Sequence, residues 1–369
     1  MAEAREDFDL ERRDDAAHLS SRALEPEAPE PVYVMDTDPG IRRVRAGKGF
    51  SYRGPDGKRV ADAKVIRRIK SLAVPPAYED VWICLDPLGH IQATGRDARG
   101  RKQYRYHPRW LEIRDAVKYE GLVAFGRTLP RLRRRFAEDM GARGLVRDRV
   151  LATVASLLDR TLIRIGNPGY ARDNKSFGLS TLRDRHVDVA GSEIRFRFTG
   201  KSGRDWDLRV TDRRIARIVR SCQELPGQHL FQYRDDDGER RAVTSDGINA
   251  YLRAVGGREC TAKQFRTWAG TVMTAMILAE EEAPTSKRQA ARTINAAIDT
   301  VAATLGNTRA ICRRCYVHPL VIERYEAGAL ATELKDARPR ARRRSDAYGP
   351  EEALVLAWLE AQVAERGGR

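Results

Sequence analysis

One tyrosine in this chain sits where a phenol could do chemistry. In the stretch Leu305-Gly306-Asn307-Thr308-Arg309-Ala310-Ile311-Cys312-Arg313-Arg314-Cys315-Tyr316-Val317-His318-Pro319, Tyr316 follows a cationic run and stands nine residues after an amide. A phenol titrates near ~10 and becomes a usable nucleophile once neighbouring cations stabilise its phenolate. The ordinary role of a tyrosine is different: its ring fills the core and its hydroxyl stays wet. These residues alone leave both readings open.

A second stretch has a different chemistry. Gly95-Arg96-Asp97-Ala98-Arg99-Gly100 makes a turn, and Arg101-Lys102-Gln103-Tyr104-Arg105-Tyr106 follows as a strand mixing cations with aromatics and one amide. Arg and Lys reach phosphates, whereas Gln and Tyr can touch base edges or sugars, so this composition suits a duplex groove. A solvated sheet edge guarded by charge is the alternative.

Two other patterns carry less. Gly200-Lys201-Ser202 lacks the first glycine of a phosphate-binding loop, since position 195 is Arg, and it lies on a hairpin rather than between a strand and a helix. Cys312-Arg313-Arg314-Cys315 has no second Cys or His pair to complete a zinc site, so both cysteines read as buried packing residues. The five cysteines (84, 222, 260, 312, 315) form no disulfide framework and suit a reducing compartment.

The elements that must position these residues follow from pattern. Residues 1–31 are acidic and rich in Pro and Glu, which predicts a disordered arm. Residues 32–112 read as a β-rich domain. Phe50-Ser51-Tyr52 before Gly54-Pro55-Asp56-Gly57 predicts one hairpin, and Val81–Leu85 with His90–Thr94 predicts another. Between them, Asp62 caps a helix with the apolar face Val65, Ile66, Ile69 and Leu72.

Residues 113–369 read as mainly helical. Val150, Val154, Leu157, Leu158, Leu162 and Ile163 lie at helical spacing, and Arg164 falls in the last turn before Gly166-Asn167-Pro168-Gly169. There a macrodipole contact is its ordinary explanation. His186–Val189, Ile194–Phe198 and Trp206–Val210 predict a three-stranded sheet with Lys201 at a hairpin tip. Further helices are expected near 212–224, 245–254, 262–281, 286–304, 319–327 and 350–365. Thr261 caps the third of these, which carries Lys263 and Arg266, and a basic linker-like run lies near 336–346.

Charge narrows the partner. The net charge is +16 and the isoelectric point about 9.9. An excess dominated by planar Arg forks points to a polyanion, with nucleic acid favoured over a merely solvated surface. With neither a signal peptide nor an apolar run long enough to cross a bilayer, a soluble, cytoplasmic, nucleoid-associated protein without membrane partners is expected.

Taken singly, Arg164, Lys201, Arg266, Asn307 and Tyr316 favour bland readings, but their order and contexts resemble the type IB DNA topoisomerases, in particular the small poxvirus and bacterial branch. The resemblance covers roughly residues 40–330. It rests on Gly95-Arg96-Asp97, Gly100-Arg101, Gln103-Tyr104, Leu162-Ile163-Arg164-Ile165-Gly166, Gly178-Leu179 and Thr181-Leu182. It continues through Thr199-Gly200-Lys201, Lys263-Gln264-Phe265-Arg266-Thr267 and Leu305-Gly306-Asn307. Many members have His where this chain has Asn307; bacterial-type members can carry Asn. The substitution removes any cationic or acid role there.

The resemblance implies an α+β fold, with a β-rich amino domain and a mainly helical catalytic domain closing as a clamp around duplex DNA. It implies that Tyr316 attacks a backbone phosphodiester, giving a 3′-phosphotyrosyl bond and a free 5′-hydroxyl. Arg164 and Arg266 would neutralise the nonbridging oxygens, Asn307 would donate to them, and Lys201 would protonate the leaving oxygen. No metal, ATP or other cofactor is implied, and a monomer is expected. Arg96, Arg101, Gln103, Tyr104 and Tyr106 are the implied DNA contacts of the amino domain. Lys263 and the group Tyr170, Arg172 and Lys175 extend that surface. The rival readings are a tyrosine recombinase, whose tyrosine motif Tyr316-Val317-His318 resembles, and a non-catalytic DNA-binding protein. Recombinases usually carry His where this chain has Lys263.

Overall fold

The computed structural model of the chain describes residues 30–344, 346 and 348–367; the acidic arm falls almost wholly outside the described residues. Two compact units, Met1–Lys118 and Tyr119–Arg369, divide the chain.

In the first unit, alternation in β3 (Glu79–Cys84) sends Val81 and Ile83 to one face and Trp82 and Cys84 to the other. Both faces are therefore covered. Helix α1 (Ala63–Ser71) brings Ile69 onto Ile41, Val81, Ile83 and Ala93, while Val34, Tyr104 and Tyr106 pack with Trp82 and Ile91. As the capping pattern requires, Asp62 Oδ1 accepts from Lys64 N–H at 2.6 Å. The sheet is antiparallel, ordered β2-β1-β3-β4-β5, with β1 Gly40–Ala46, β2 Gly49–Arg53, β4 Ile91–Arg96 and β5 Lys102–Tyr106.

Here the sequence reading needs one correction. β2 pairs with β1 across the Gly47-Lys48 turn, whereas the Gly54–Gly57 turn leads only to a single bridge, Arg53 to Arg59. β1 escaped notice because three of its seven residues are arginines. One of them, Arg43, lies over the Phe50 ring and donates to the Val74, Pro75 and Tyr78 carbonyls.

Helix α2 (Pro108–Asp139) runs unbroken past Pro130. The second unit is built around α3 (Arg147–Thr161), whose residues 150–158 are all buried. A helix apolar on every side belongs at the centre of a core. Around it lie α5 (Arg213–Gln223), α6 (Ser245–Gly256), α7 (Ala262–Ala279) and the short hairpin of β9 (Gln232–Arg234) and β10 (Arg240–Ala242). The predicted three-stranded antiparallel sheet is present as β6 (Val187–Ala190), β7 (Glu193–Thr199) and β8 (Asp205–Thr211). Then come α8 (Lys287–Leu305), α9 (Arg309–Tyr316), α10 (Pro319–Glu326), α11 (Leu330–Ala341) and α12 (Pro350–Gly367). The run read as linker-like begins inside α11, which continues through Pro339. No described helix is long and apolar enough to cross a membrane.

Candidate active site around Tyr316

Arg164 is not on a helix. Leu162 adopts a left-handed conformation (φ 57°) that ends α3 two residues earlier, so the macrodipole explanation does not apply. The Arg164 backbone is instead held by a neighbouring strand of chain: its carbonyl accepts from Leu179 N–H at 2.9 Å, and Ile165 O accepts from Ser180 N–H at 2.6 Å. Gly178 makes this approach possible, because a Cβ there would stand 2.5 Å from the Arg164 carbonyl oxygen. The Arg164 side chain is thus aimed at the α8–α9 junction. It donates to Gly306 O at 3.2 Å and to Asn307 Oδ1.

Arg266 comes from the first turns of α7 and is only 3% exposed. Its two terminal nitrogens donate to Leu162 O and, at 2.6 Å, to Leu305 O. Those carbonyls close α3 and α8, so the negative ends of two helices face one buried cation. No carboxylate pairs with Arg164 or Arg266 among the described residues. The Tyr316 ring centroid lies 5.0 Å from the Arg266 guanidinium carbon, and the phenol is close enough to interact electrostatically with both guanidinium groups. Burial lowers the pKa of both arginines. The phenol opposes that shift at each, while Arg204 adds to it at Arg164 and Arg164 adds to it at Arg266.

Asn307 follows the left-handed Gly306 that caps α8. Its Oδ1 is taken by Arg164, yet its Nδ2 is buried without a partner among the described residues, as is Arg266 Nε. An unmatched buried donor costs about 1–3 kcal/mol, which a bound acceptor would remove. Arg164, Arg266, Asn307 and Tyr316 therefore converge: two cations, an orphaned amide donor and a phenol. That set suits an anionic, oxygen-rich group such as a phosphoryl.

Lys201 occupies the exposed turn between β7 and β8 and makes no hydrogen bond or ion pair among the described residues. The turn itself is anchored to the site. Trp206 of β8 packs over Gly306, where a Cβ would meet its ring at 2.7 Å, and Arg204 donates to Ala303 O at 2.5 Å. Sequence reasoning missed both residues, since each acts across a long sequence separation that periodicity does not report.

The surface residues divide. Lys263 is exposed one turn before Arg266, and Tyr170, Arg172 and Lys175 are exposed on or just after α4 (Pro168–Asn174), with Arg172 beside Asp173. In the first unit, Tyr104 and Tyr106 stack at 5.9 Å on one face of β5. Gln103 points to the other face and donates to Asp97 at 3.0 Å. Arg101 also engages Asp97, at 2.7 Å, and Arg96 lies 3.5 Å from Asp80. The Arg101 hydrogen bond is the chief cause that holds the Asp97 carboxyl down to about 2. His318 caps α10 by accepting from Leu320 N–H at 3.1 Å. Cys84, Cys222, Cys260 and Cys312 are buried as expected, whereas Cys315 is half-buried.

Comparison with known proteins shows the family. Residues 107–341 match the family described as eukaryotic DNA topoisomerase I, catalytic core, and residues 49–97 match the bacterial DNA topoisomerase IB amino-terminal domain. The DNA topoisomerase 1B of Acanthamoeba polyphaga mimivirus is 31% identical over 294 residues, 78% of this chain and 88% of that protein. DNA topoisomerase I of Monkeypox virus and DNA topoisomerase 1B of Vaccinia virus are each 22% identical over 250 residues, 67% of this chain and 75% of theirs. The chain belongs to the type IB DNA topoisomerases, which are isomerases.

Proposed function

We propose that the protein relaxes supercoiled duplex DNA by transient cleavage of one strand, with Tyr316 as nucleophile. The observation that carries this reading is a phenol ring 5.0 Å from the buried Arg266 guanidinium and beside the half-buried Arg164, neither arginine being neutralised by a carboxylate among the described residues. Tyr316 Oη attacks the phosphorus and displaces the 5′-oxygen, leaving a 3′-phosphotyrosyl bond. Arg164 and Arg266 bind the nonbridging oxygens as charge gathers there, and the free Asn307 Nδ2 supplies a neutral donor.

The departing 5′-alkoxide needs a proton. An ammonium can release one, whereas a guanidinium effectively cannot, so Lys201 is the acid and the arginines are not. The turn that bears it is pinned by Trp206 and Arg204, while the lysine itself is exposed and has no partner among the described residues. One phosphodiester replaces another, so the bond energy is conserved and ATP is not consumed. While the strand is open the free end rotates about its partner, and reversal of the attack reseals it. Lys263, Tyr170, Arg172 and Lys175, with Tyr104, Tyr106, Arg96 and Arg101, serve as DNA contacts. Binding dominated by phosphates makes affinity fall steeply with salt.

The test is a supercoiled plasmid carrying no recombination site, incubated without ATP. Conversion to relaxed topoisomers is expected; DNA binding with unchanged topology would leave only the architectural reading.

A further inference from the structure

The face of α7 that presents Arg266 also carries Lys263, Thr267, Gly270 and Thr271, spaced three and four residues apart. Its middle is pressed against the end of α9. A Cβ at Gly270 would stand 2.5 Å from Tyr316 O and 3.1 Å from Tyr316 Cβ. At no other residue type could the backbone of Tyr316 lie this close to α7 without moving.

The flanking threonines are buried, and their hydroxyls show an informative difference. A helical threonine commonly donates to the carbonyl four residues back, as Thr274 does to Gly270 O at 2.7 Å. Thr267 shares itself between Lys263 O at 3.3 Å and Cys315 O at 3.5 Å. Thr271 turns outward instead. Its hydroxyl accepts from His318 N–H at 3.1 Å and lies 3.5 Å from Tyr316 O. On the opposite side Tyr119 Oη donates to Arg314 O at 3.0 Å, and its ring stands 4.9 Å from that of His318. The chain from Arg314 to His318 is thus gripped through its backbone, from two sides.

We propose that Thr271, Gly270 and, more weakly, Thr267 are positioning residues that fix the backbone of Tyr316 against the helix bearing Arg266, so that nucleophile and cation share one rigid frame. This rests on Tyr316 being the nucleophile. The phenol has only the χ1 and χ2 torsions between its Cα and its reactive oxygen, so an error in the backbone passes directly to the point of attack. A misplacement of about 1 Å can slow a reaction ~100-fold.

The test is single-turnover formation of the covalent adduct at saturating DNA, with DNA affinity and melting temperature measured alongside. Thr271→Val keeps the side-chain shape but leaves His318 N–H without its acceptor, and a ~10-fold slower cleavage is expected, the size of one lost hydrogen bond. DNA affinity should hardly change and the melting temperature should fall by no more than the few degrees one buried hydrogen bond is worth, while Thr271→Ser should restore most of the rate and Gly270→Ala should lose ~100-fold. The Thr271→Val deficit relative to wild type should persist on a 5′-bridging phosphorothiolate substrate, because the fault lies in the nucleophile and not in the leaving group. If Gly270→Ala does not fold, the Thr271 pair decides. Wild-type cleavage rates in Thr271→Val, a deficit matched by lost DNA affinity, or no rescue by Ser would overturn the positioning role alone. A wild-type protein that forms no adduct would overturn the nucleophile reading, and this proposal with it.

Discussion

Two arginines in the helical unit, one half-buried and one buried, show opposite solutions to the same electrostatic problem. Arg133, on α2, sits between Asp159 of α3 and Glu352 of α12, with four hydrogen bonds of 2.7–3.0 Å, and Glu352 also accepts from Trp268 Nε1 at 3.0 Å. Burial alone would lower its pKa, but the hydrogen bonds it donates to Glu352 and Asp159 raise it above the ordinary range. Arg266 is more deeply buried and, among the described residues, donates only to carbonyl oxygens beside a phenol ring, so burial lowers its pKa. The first arginine is a closed joint between three helices. The second has no carboxylate partner among the described residues and one orphaned Nε, which is a cost in the free protein and an asset toward a phosphodiester.

Exchanging the two roles by mutation is the direct way to break this comparison. Arg266→Ala is expected to slow cleavage ~10³-fold, in the range seen when a transition-state donor is removed, while stability stays near wild type. Arg133→Ala should do the reverse. It strands Asp159 and Glu352, costing about 3 kcal/mol in chemical denaturation, yet the folded fraction should cleave at the wild-type rate. If Arg266→Ala unfolds the protein and leaves the rate of the survivors intact, the distinction is wrong.

Lys201 sharpens the contrast, being an exposed cation with no partner among the described residues. Lys201→Ala should slow cleavage ~10²-fold, recovering substantially on a 5′-bridging phosphorothiolate whose leaving group needs no proton. An unrescued defect argues against an acid role. Asn307→Ala should be milder than loss of either arginine, about 10-fold, because it removes one neutral donor; a complete block would mean the amide matters more than its charge suggests.

A smaller, pH-dependent effect concerns the scaffold beside the Arg164 segment. His186 is packed against Phe177 at 4.4 Å and accepts from Arg183 N–H at 3.1 Å. Burial first, then the Arg185 and Arg183 charges, hold its imidazole down to about 4. An unfolded histidine takes up a proton near ~6.5, so stability is full above that value and declines as pH falls toward 4. Thermal unfolding at pH 7 and pH 5 should differ by roughly 2 kcal/mol from this group, and His186→Gln should flatten the dependence.

Much of the helical unit was legible because its core helices carry apolar residues at a regular period. Where the reading failed, the cause is local. Arg164 was assigned to a helix because Leu162 and Ile163 continue the apolar spacing of α3. Nothing in the sequence announces that Leu162 takes a left-handed turn, a conformation uncommon for leucine. The α9 helix was missed because Arg309–Tyr316 is eight residues long, with Cys312 its one buried residue. On β5, composition suggested that Gln103 and the tyrosines work together, but alternation along a strand separates them, and Asp97 takes the amide. Four of the five residues singled out for chemistry nonetheless meet around one point, and the fifth stands on a turn tied to it by Trp206.

The most direct measurement traps the reaction on end-labelled duplex DNA and resolves it by denaturing electrophoresis, for the wild type and for Tyr316→Phe. A single covalent species on the 3′-phosphate side of the break is expected for the wild type, with none for Tyr316→Phe at undiminished DNA affinity. An adduct that survives in Tyr316→Phe, or one joined to the 5′ end, would contradict the assignment of Tyr316 as the nucleophile.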